Sequence, residues 1–299
     1  MNREAALSEL LSTVRQVEVA ASRLANDSMV GAYLSSFKGR GMDFEELREY
    51  LPGDDVRHID WNVTNRLGRP FVKRYREERE LTMILAVDIS ASGDFASVGR
   101  TKRHLAAEVA GTLAFSAARS GDKVGLMLFT GEVELYVPPS KGRRHLLRLL
   151  REILFFEPKH RGTSVAAALR NLHHRLGRRS MVFLLSDFLQ PTDRTLAQAV
   201  GQLSARHDMV CLHLHDPGEA ELPDAGLVTL EDAETGELVE LNLSRAAVRE
   251  QYAAVNARRL AELNEALQRE GVSTLRLETG KPFAAGLQHF FEHRRWRRG

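Results

Sequence analysis

Short apolar segments alternate with amphipathic segments along most of this 299-residue chain. The segment 81–87 is apolar and rich in aliphatic side chains, and it ends at the polar residues Asp88, Ser90 and Ser92. A short apolar run bounded by polar residues predicts a strand that is buried on both faces of a sheet. The same pattern predicts further strands at 123–129, 133–137, 180–186, 208–215 and 272–277.

Apolar residues at helical spacing predict helices between these strands. The predicted helices span 2–25, 96–119, 143–155, 164–176, 193–205 and 244–269, and a short helix precedes the C-terminal tail. Strands that alternate with helices of this length predict βαβ units and a mostly parallel sheet with helices on both faces. The loop between 123–129 and 133–137 is too short for a crossover helix, so these two strands are predicted to form an antiparallel hairpin. The predicted fold class is therefore α/β.

The chain divides by composition into two parts. Residues 1–80 contain the first helix and then a glycine-rich and charge-rich extension, whose short elements are expected to fold onto something larger. Residues 81–299 hold the alternating pattern and form the predicted main domain. Within it, the segment 227–241 is typical of a β-hairpin inserted in the domain, with its turn near Gly236.

Composition narrows the class of protein. The chain is 43% hydrophobic, which is ample for a sizeable core, and its net charge of +2 is too small to indicate a nucleic-acid binder. Cys211 is the only cysteine, so an intrachain disulfide is excluded and a reducing compartment is expected. No apolar run approaches the roughly 18 residues that span a bilayer, and the first residues do not resemble a secretory signal. A cytoplasmic location is the expectation.

Five oxygen-bearing residues are predicted to meet at one edge of the sheet. Asp88, Ser90 and Ser92 follow one strand, Asp187 follows another, and Thr163 lies at the start of a helix. The carboxyl ends of parallel strands share an edge, which is where ligands bind in open α/β sheets. Carboxylate and hydroxyl oxygens suit Mg²⁺ or a similar cation. The alternative is a strand-to-helix turn in which the hydroxyls, Thr163 among them, only cap helices.

The arrangement resembles the metal-ion-dependent adhesion site of von Willebrand factor A domains. The upstream segment is similar to one branch of that superfamily, the MoxR-associated proteins of the domain-of-unknown-function-58 family. The residues that carry this likeness are Gly39-Arg-Gly41, Phe44, Leu47-Arg-Glu-Tyr50, Pro52-Gly-Asp-Asp55, Arg57, Ile59-Asp-Trp61, Arg69-Pro70, Lys73, Glu77 and Asp232-Ala-Glu-Thr-Gly236. The resemblance covers nearly all of the chain beyond the first helix.

The resemblance implies a von Willebrand factor A-like sheet and a site for Mg²⁺ or Mn²⁺. Ser90, Ser92 and Thr163 would supply hydroxyl oxygens, and Asp88 and Asp187 would bind directly or through water molecules. A metal held mostly by hydroxyls keeps a position open for a carboxylate from a partner. The implied function is a non-enzymatic, chaperone-like adaptor that binds a MoxR-type AAA+ ATPase and a client protein, in protein-complex maturation or metal insertion.

The chain has no motif of its own for using ATP, because a Gly-x-x-x-x-Gly-Lys-Ser/Thr sequence is absent. The alternative function is a Mg²⁺-dependent hydrolase acting on phosphate esters, with Asp88 and Asp187 around the metal. That function requires an activating base, and the sequence offers no obvious candidate. Nucleic-acid binding through the basic tail 293–298 ranks last, behind a solvated terminus. The sequence does not indicate an oligomeric state.

A second group of polar residues lies in the N-terminal extension. Asp54, Asp55, Arg57, Asp60 and Trp61 form a candidate partner-binding site. The alternative, which the residue types favour, is a structural clasp in which Arg57 pairs with carboxylates and Trp61 covers the edge of the core.

Two further groups have both a functional and a structural interpretation. Cys211, His213 and His215 share one face of a predicted strand, where they resemble a soft-metal set. A buried thiol beside histidines near the end of the strand is the favoured interpretation. The basic segment Lys141-Gly-Arg-Arg144 precedes a helix, and it is a candidate for recognising acidic groups of a partner close to the predicted site.

Overall fold

A computed structural model describes residues 3–37, 42–52, 54–56, 59–77, 80–190, 192–231 and 236–294. Its central feature is a six-stranded sheet with helices on both faces. Two smaller two-stranded sheets lie outside it. The strands are β1 (Met42–Glu49), β2 (Phe71–Glu77), β3 (Thr82–Asp88), β4 (Lys123–Phe129), β5 (Val133–Ser140), β6 (Met181–Ser186), β7 (Asp208–His215), β8 (Leu227–Glu231), β9 (Leu238–Asn242) and β10 (Ser273–Glu278).

The central sheet has the strand order β10-β7-β6-β3-β4-β5. Five of its strands are parallel, and β5 pairs antiparallel with β4 at one edge. The antiparallel strand β5 is thus the third strand of this sheet in chain order, and the chain returns to the centre of the sheet after it. This doubly wound order, with its switch point between β3 and β6, confirms the predicted von Willebrand factor A-like α/β class.

The helices of the described chain follow the predicted pattern with a few exceptions. They are α1 (Arg3–Leu24), α2 (Asp27–Phe37), α3 (Trp61–Leu67), α4 (Lys102–Arg119), α5 (Arg143–Phe155), α6 (Val165–Arg175), α7 (Arg194–Ser204), α8 (Pro217–Ala220), α9 (Ala246–Arg269) and α10 (Ala284–Arg294). The short helices α2, α3 and α8 have no counterpart in the predicted pattern.

Alternate residues of β3 face two separate halves of the core. Leu85 belongs to the half that α1, α2, α4, α5 and α10 cover, and Ala86 to the half that α6, α7 and α9 cover. Side chains alternate between the faces of a sheet with a period of two, so a strand covered on both faces must be apolar throughout. This explains why 83–87 is an unbroken apolar run.

The N-terminal helices pack on the main domain. Helix α1 crosses α4 at Gly111, where a side-chain carbon would lie 2.9 Å from Cβ of Ala21 and 3.1 Å from a methyl group of Leu150. Helix α2 buries Tyr33, whose hydroxyl donates to Asp122 Oδ2 (3.0 Å). The first two helices thus complete one face of the core.

Helix α4 begins six residues later than the pattern at 96–119 predicted. Thr101 is its N-cap and accepts from the backbone N–H of His104 (3.2 Å). The preceding segment 95–100 is a loop that Ser97 connects to Asp216, the residue after β7, since its backbone N–H donates to Asp216 Oδ2 (3.1 Å). A capping threonine ends the loop where the periodic pattern alone suggested continuous helix.

Candidate functional site

Asp88 and the two serines after it form a compact turn at the carboxyl end of β3. Asp88 Oδ1 accepts from the backbone N–H of Ser90 (3.0 Å), which bends the chain back over the end of the strand. The hydroxyls of Ser90 and Ser92 lie 3.1 Å apart. All three side chains are buried, so their oxygens face one another and not the solvent.

Asp187 reaches this turn from β6, the neighbouring strand. The hydroxyl of Ser92 donates to Asp187 Oδ2 (2.7 Å), and the hydroxyl of Ser186 donates to Asp88 Oδ2 (2.7 Å). Phe188 follows in a left-handed conformation (φ 49°) that is uncommon for a residue with a side chain. Its backbone N–H donates back to Ser186 Oγ (3.0 Å), which holds Asp187 at the end of the strand.

The structure therefore brings four of the five predicted site residues together. Thr163, the fifth, lies on the adjacent loop, which packs at the end of β4 because the backbone N–H of Ser164 donates to the carbonyl of Thr130 (2.9 Å). The suggestion that Thr163 caps the next helix is wrong. Ser164 is the N-cap of α6, and its hydroxyl accepts from the backbone N–H of Ala167 (3.3 Å).

Two charged residues that the sequence analysis missed complete the site. The ammonium of Lys102 donates to Asp187 Oδ2 (2.5 Å) and also pairs with Glu219, and the Lys102 side chain is only 1% exposed. Lys102 is the first residue of α4, and Glu219 belongs to the capping box of α8. A lysine in the first turn of a helix opposes the helix dipole. Because the sequence pattern placed the start of this helix at residue 96, the unusual position of Lys102 could not be recognised from the sequence.

Burial and charge together set the ionisation of the cluster. Burial, reinforced by the charge of Asp187, raises the pKa of Asp88 to about 7. Burial alone would lower the pKa of Lys102, but the carboxylates of Asp187 and Glu219 outweigh it and raise this pKa. Burial also raises the pKa of Glu219, although Lys102 opposes the change. The site thus concentrates carboxyl groups around one buried ammonium.

A cavity of about 10 Å³ opens between these groups. Its lining consists of Asp88, Ser90, Gly93, Lys102, Arg103, Ser186, Asp187 and Leu214. This volume is close to the minimum that holds one water molecule. This space is sufficient for a single water molecule or an ion of similar size.

The candidate partner-binding residues of the N-terminal extension have separate positions. Asp54 closes a turn, accepting from Arg48 (2.6 Å) and from the backbone N–H of Leu51 (2.9 Å). Asp60 is the N-cap of α3 and accepts from the backbone N–H of Asn62 (2.9 Å). Asp55 is exposed, and Arg57 lies outside the described residues.

The expectation that Trp61 covers the edge of the core is wrong. This side chain is 63% exposed, on the first turn of α3, and the exposed apolar residues Leu51, Val56 and Leu67 belong to the same segment. The segment therefore presents apolar side chains to solvent beside two structural aspartates.

Cys211, His213 and His215 are all buried in β7. Burial raises the pKa of the Cys211 thiol, and burial with the nearby charge of Arg276 lowers the pKa of His213 to about 4. His213 packs its ring edge-on against Phe188 at 5.9 Å. Among the described residues, no three His, Cys, Asp or Glu side chains are grouped so that they could hold a metal ion.

The basic segments do not lie where the sequence suggested. Arg294, at the start of the basic tail, is buried and pairs with Asp208, while residues 295–299 lie outside the described chain. Lys141 and the residues after it lie at the edge of the sheet opposite the site. Ser140 pairs with Val124 at the beginning of β4, whereas Asp88 pairs with Phe129 at its end. Because β5 runs antiparallel to β4, its last residues lie beside the beginning of β4, at the opposite edge from the site.

Two mycobacterial proteins match this chain over nearly their full length. The uncharacterized protein Rv1480 of Mycobacterium tuberculosis is 32% identical over 289 residues, which are 96% of this chain and 90% of that protein. The uncharacterized protein MAV169 of Mycobacterium avium is 32% identical over 161 residues, which are 53% of this chain and 94% of that protein.

Solved structures resemble the chain at low sequence identity. BatB from Bacteroides thetaiotaomicron is 16% identical and matches 72% of this chain and 98% of its own, with a TM-score of 0.47. A von Willebrand factor type A protein from Catenulispora acidiphila is 11% identical and matches 72% of this chain and 43% of its own, with a TM-score of 0.39.

None of the described helices has the length and apolar character needed to cross a membrane. The family model for the protein of unknown function DUF58 matches residues 46–262, which include both the exposed segment around Trp61 and the cluster around Asp88. With this match and the 32% identity to Rv1480, the chain belongs to the DUF58 family.

Proposed function

We propose that this protein is a non-enzymatic adaptor that binds a protein partner through a metal site formed by Asp88, Ser90, Ser92 and Asp187. The spacing of their oxygens is the observation that carries the proposal. Ser92 Oγ lies 3.1 Å from Ser90 Oγ and 2.7 Å from Asp187 Oδ2. Adjacent oxygens around an octahedral Mg²⁺ are about 3 Å apart, given Mg–O distances of about 2.1 Å. The cation would be Mg²⁺ or Mn²⁺, with Thr163 as a further ligand from the adjacent loop.

The charge of the cluster also fits a divalent cation. Lys102 pairs with Asp187 and Glu219, and Asp88 lines the same cavity, which leaves two negative charges when all are ionised. Of the three carboxyl groups, only those of Asp88 and Asp187 are proposed as metal ligands. Arg103 lines the cavity too, but its guanidinium donates to the carbonyl of Ile153 (2.7 Å). Buried charges are costly unless they are paired or coordinate a metal.

The size of the cavity favours binding over catalysis. A space of about 10 Å³ accommodates an ion or a water molecule, whereas a phosphate ester needs far more room. The loop that follows Ser92 exposes Phe95 (44%) and Val98 (51%) beside the site. A partner that offers a carboxylate to the metal would find apolar contacts there. Exposed apolar side chains next to a charged centre are typical of protein interfaces.

The partner we propose is a MoxR-type AAA+ ATPase, acting with this protein on a client in protein-complex maturation or metal insertion. Membership of the DUF58 family supports this choice together with the likeness of the sequence to MoxR-associated proteins. The segment 51–67 supplies a second contact surface, since Leu51, Val56 and Trp61 are exposed there. Asp54 and Asp60 stabilise the conformation of that segment through the hydrogen bonds that they accept from backbone N–H groups.

The experiment is capture of the purified ATPase by the purified full chain, in Mg²⁺ and in EDTA. Wild type is compared with Asp88→Ala, and Asp224→Ala serves as a matched control because that carboxylate is exposed, pairs with Arg249 and does not line the cavity. Capture that needs both Mg²⁺ and Asp88 supports the proposal. Capture indifferent to both would exclude the metal site as the docking point.

A Trp61→Ala variant in the same assay tests the second surface, and weaker capture is expected. If no variant and no condition gives capture, the adaptor proposal fails. Metal-stimulated hydrolysis of generic phosphate esters that disappears in Asp88→Ala would then establish the hydrolase instead.

A further inference from the structure

A groove of about 530 Å³ runs between helices α1 and α5, and it shares no lining residue with the cavity at Asp88. Its floor is apolar and consists of Leu11, Val14 and Leu147. Leu11 is 59% exposed although it belongs to the apolar side of an amphipathic helix. An apolar residue in that position normally packs against a neighbouring element. The floor of the groove is thus an apolar surface without a covering element in the described chain.

The rim of the groove is strongly basic. Arg15, Arg143, Arg144, Arg148 and Arg151 line it, and Glu18 is the acidic residue among the lining. Glu18 is already paired with Arg143 (2.6 Å), and Arg151 pairs with its neighbour Glu152 (2.5 Å).

The remaining arginines of the rim are available to a ligand. Arg15, Arg144 and Arg148 are exposed, and within the described chain they form no ion pair. Their charges are therefore not compensated by this protein itself. A cluster of like charges beside an apolar floor attracts a ligand that is both acidic and apolar.

The spacing of these residues matches a helical ligand. Arg144, Leu147, Arg148 and Arg151 are three, four and seven positions apart on α5, so they lie along one face of that helix. Residues at the same spacing on a second helix that lies along α5 would face these four residues, one turn after another. Binding of an amphipathic helix in a groove between two helices is a common mode of peptide recognition.

We propose that the groove between α1 and α5 binds an acidic amphipathic helix of a partner protein. The helix would place its apolar residues on Leu11, Val14 and Leu147, and its carboxylates against Arg15, Arg144 and Arg148. A membrane surface fits less well, because membrane-binding helices insert protruding apolar side chains, whereas Val14 is only 9% exposed and lies at the bottom of a concave surface. This surface is separate from the metal site and does not depend on it.

The test uses the full chain and a labelled synthetic peptide with leucines on one helical face and glutamates on the other. Binding is measured by fluorescence anisotropy. The peptide is expected to bind the wild type, and the double variant Arg144→Glu/Arg148→Glu is expected to bind at least about tenfold more weakly. Arg178→Glu/Arg179→Glu is the matched control, since it makes the same change of charge at two exposed residues outside the groove. Circular dichroism verifies that each variant is folded.

Four further measurements decide the outcome, and one of them replaces the peptide with phosphatidylserine vesicles, which are expected not to bind. Leu11→Ser is expected to weaken binding without unfolding the protein, because the side chain is exposed. Binding is expected to weaken as salt increases. A peptide with lysines in place of the glutamates is expected not to bind. Equal affinity of the glutamate peptide for the wild type and the groove variant, equal binding of the lysine peptide, or binding of phosphatidylserine vesicles in place of the peptide would each overturn the proposal.

Discussion

The ammonium of Lys102 lies 2.5 Å from Asp187 Oδ2, and both side chains are almost completely buried. A positive charge of the protein itself therefore occupies one side of the site at which we propose a metal. Lys102 also pairs with Glu219, so it connects the start of α4 with α8 and with the end of β6. The lysine offsets part of the negative charge, and a divalent cation would offset the rest.

Lys102→Met is expected to lower the free energy of unfolding by about 3–5 kcal/mol in EDTA, because it leaves buried carboxylates without their partner. Excess Mg²⁺ is expected to raise the melting temperature of this variant more than that of the wild type, since the ion replaces the lost charge. Thermal unfolding followed by circular dichroism measures both effects. Lys102→Arg is the control that keeps the charge. Equal melting temperatures of Lys102→Met and wild type in EDTA would contradict the structural role of the pair.

The buried pair of Arg294 and Asp208 fixes α10 to the sheet. Both side chains are 3% exposed, and Arg294 also donates to the hydroxyl of Ser273 (3.1 Å). Arg294→Met is expected to cost about 3–5 kcal/mol, because Asp208 stays buried without its cation. Urea unfolding measures the loss. The double variant Arg294→Met/Asp208→Asn is expected to be more stable than the single variant, and a double variant that is no better would show that the charge of Asp208 is not the cause.

The proximity of Asp88 and Asp187 follows from the sequence, because both residues end strands of the predicted parallel sheet. Ser92, in the turn after Asp88, donates to Asp187 across 95 positions, because the two strands end at the same edge of the sheet. The apolar runs mark the ends of these strands, so they indicate which residues meet there. The antiparallel β5 follows from the same pattern together with the short loop before that strand, whereas the order of the strands in the sheet does not.

The contacts of Lys102 could not be derived in this way. Glu219 is 117 positions away, in a helix of four residues that has no periodic pattern. Helix packing, which brings the start of α4 and α8 together, depends on the complete tertiary structure. Arg294 shows the same limit, since a basic C-terminal segment is typical of a solvated tail and only the position of Asp208 makes its burial possible.

The buried carboxyl of Asp122, which accepts a hydrogen bond from Tyr33, makes the free energy of unfolding depend on pH. Burial raises the pKa of Asp122 to about 6, although its bonds from the backbone N–H of Leu81 (2.9 Å) and from Tyr33 oppose the rise. The nearby charges are Lys141, which lowers this pKa, and Glu80, which raises it. A carboxyl whose pKa is raised on folding stabilises the protein below its unfolded pKa, and this contribution is lost as pH rises through about 6.

Asp122→Asn removes this ionisation. The melting temperature of the variant relative to the wild type is therefore expected to increase between pH 4 and pH 6, from the ordinary pKa of an aspartate to the raised one, and then to level off. Differential scanning calorimetry across this range measures the difference. Asp224→Asn makes the same change at an exposed carboxylate and is the control. A flat difference for Asp122→Asn would mean that this carboxyl titrates at an ordinary pKa in the folded protein.

The crossing of α1 and α4 requires a residue without a side chain at Gly111. A Cβ there would lie 2.9 Å from Cβ of Ala21, and both atoms belong to helices whose backbones cannot easily separate. Gly111→Ala raises helix propensity by about 1 kcal/mol, but the overlap is expected to cost more, about 1–3 kcal/mol, and Gly111→Val more again. Urea unfolding measures the change. Ala21→Gly in the Gly111→Ala background is expected to relieve the overlap and recover stability. If Gly111→Ala alone is as stable as wild type, the two helices are farther apart in solution.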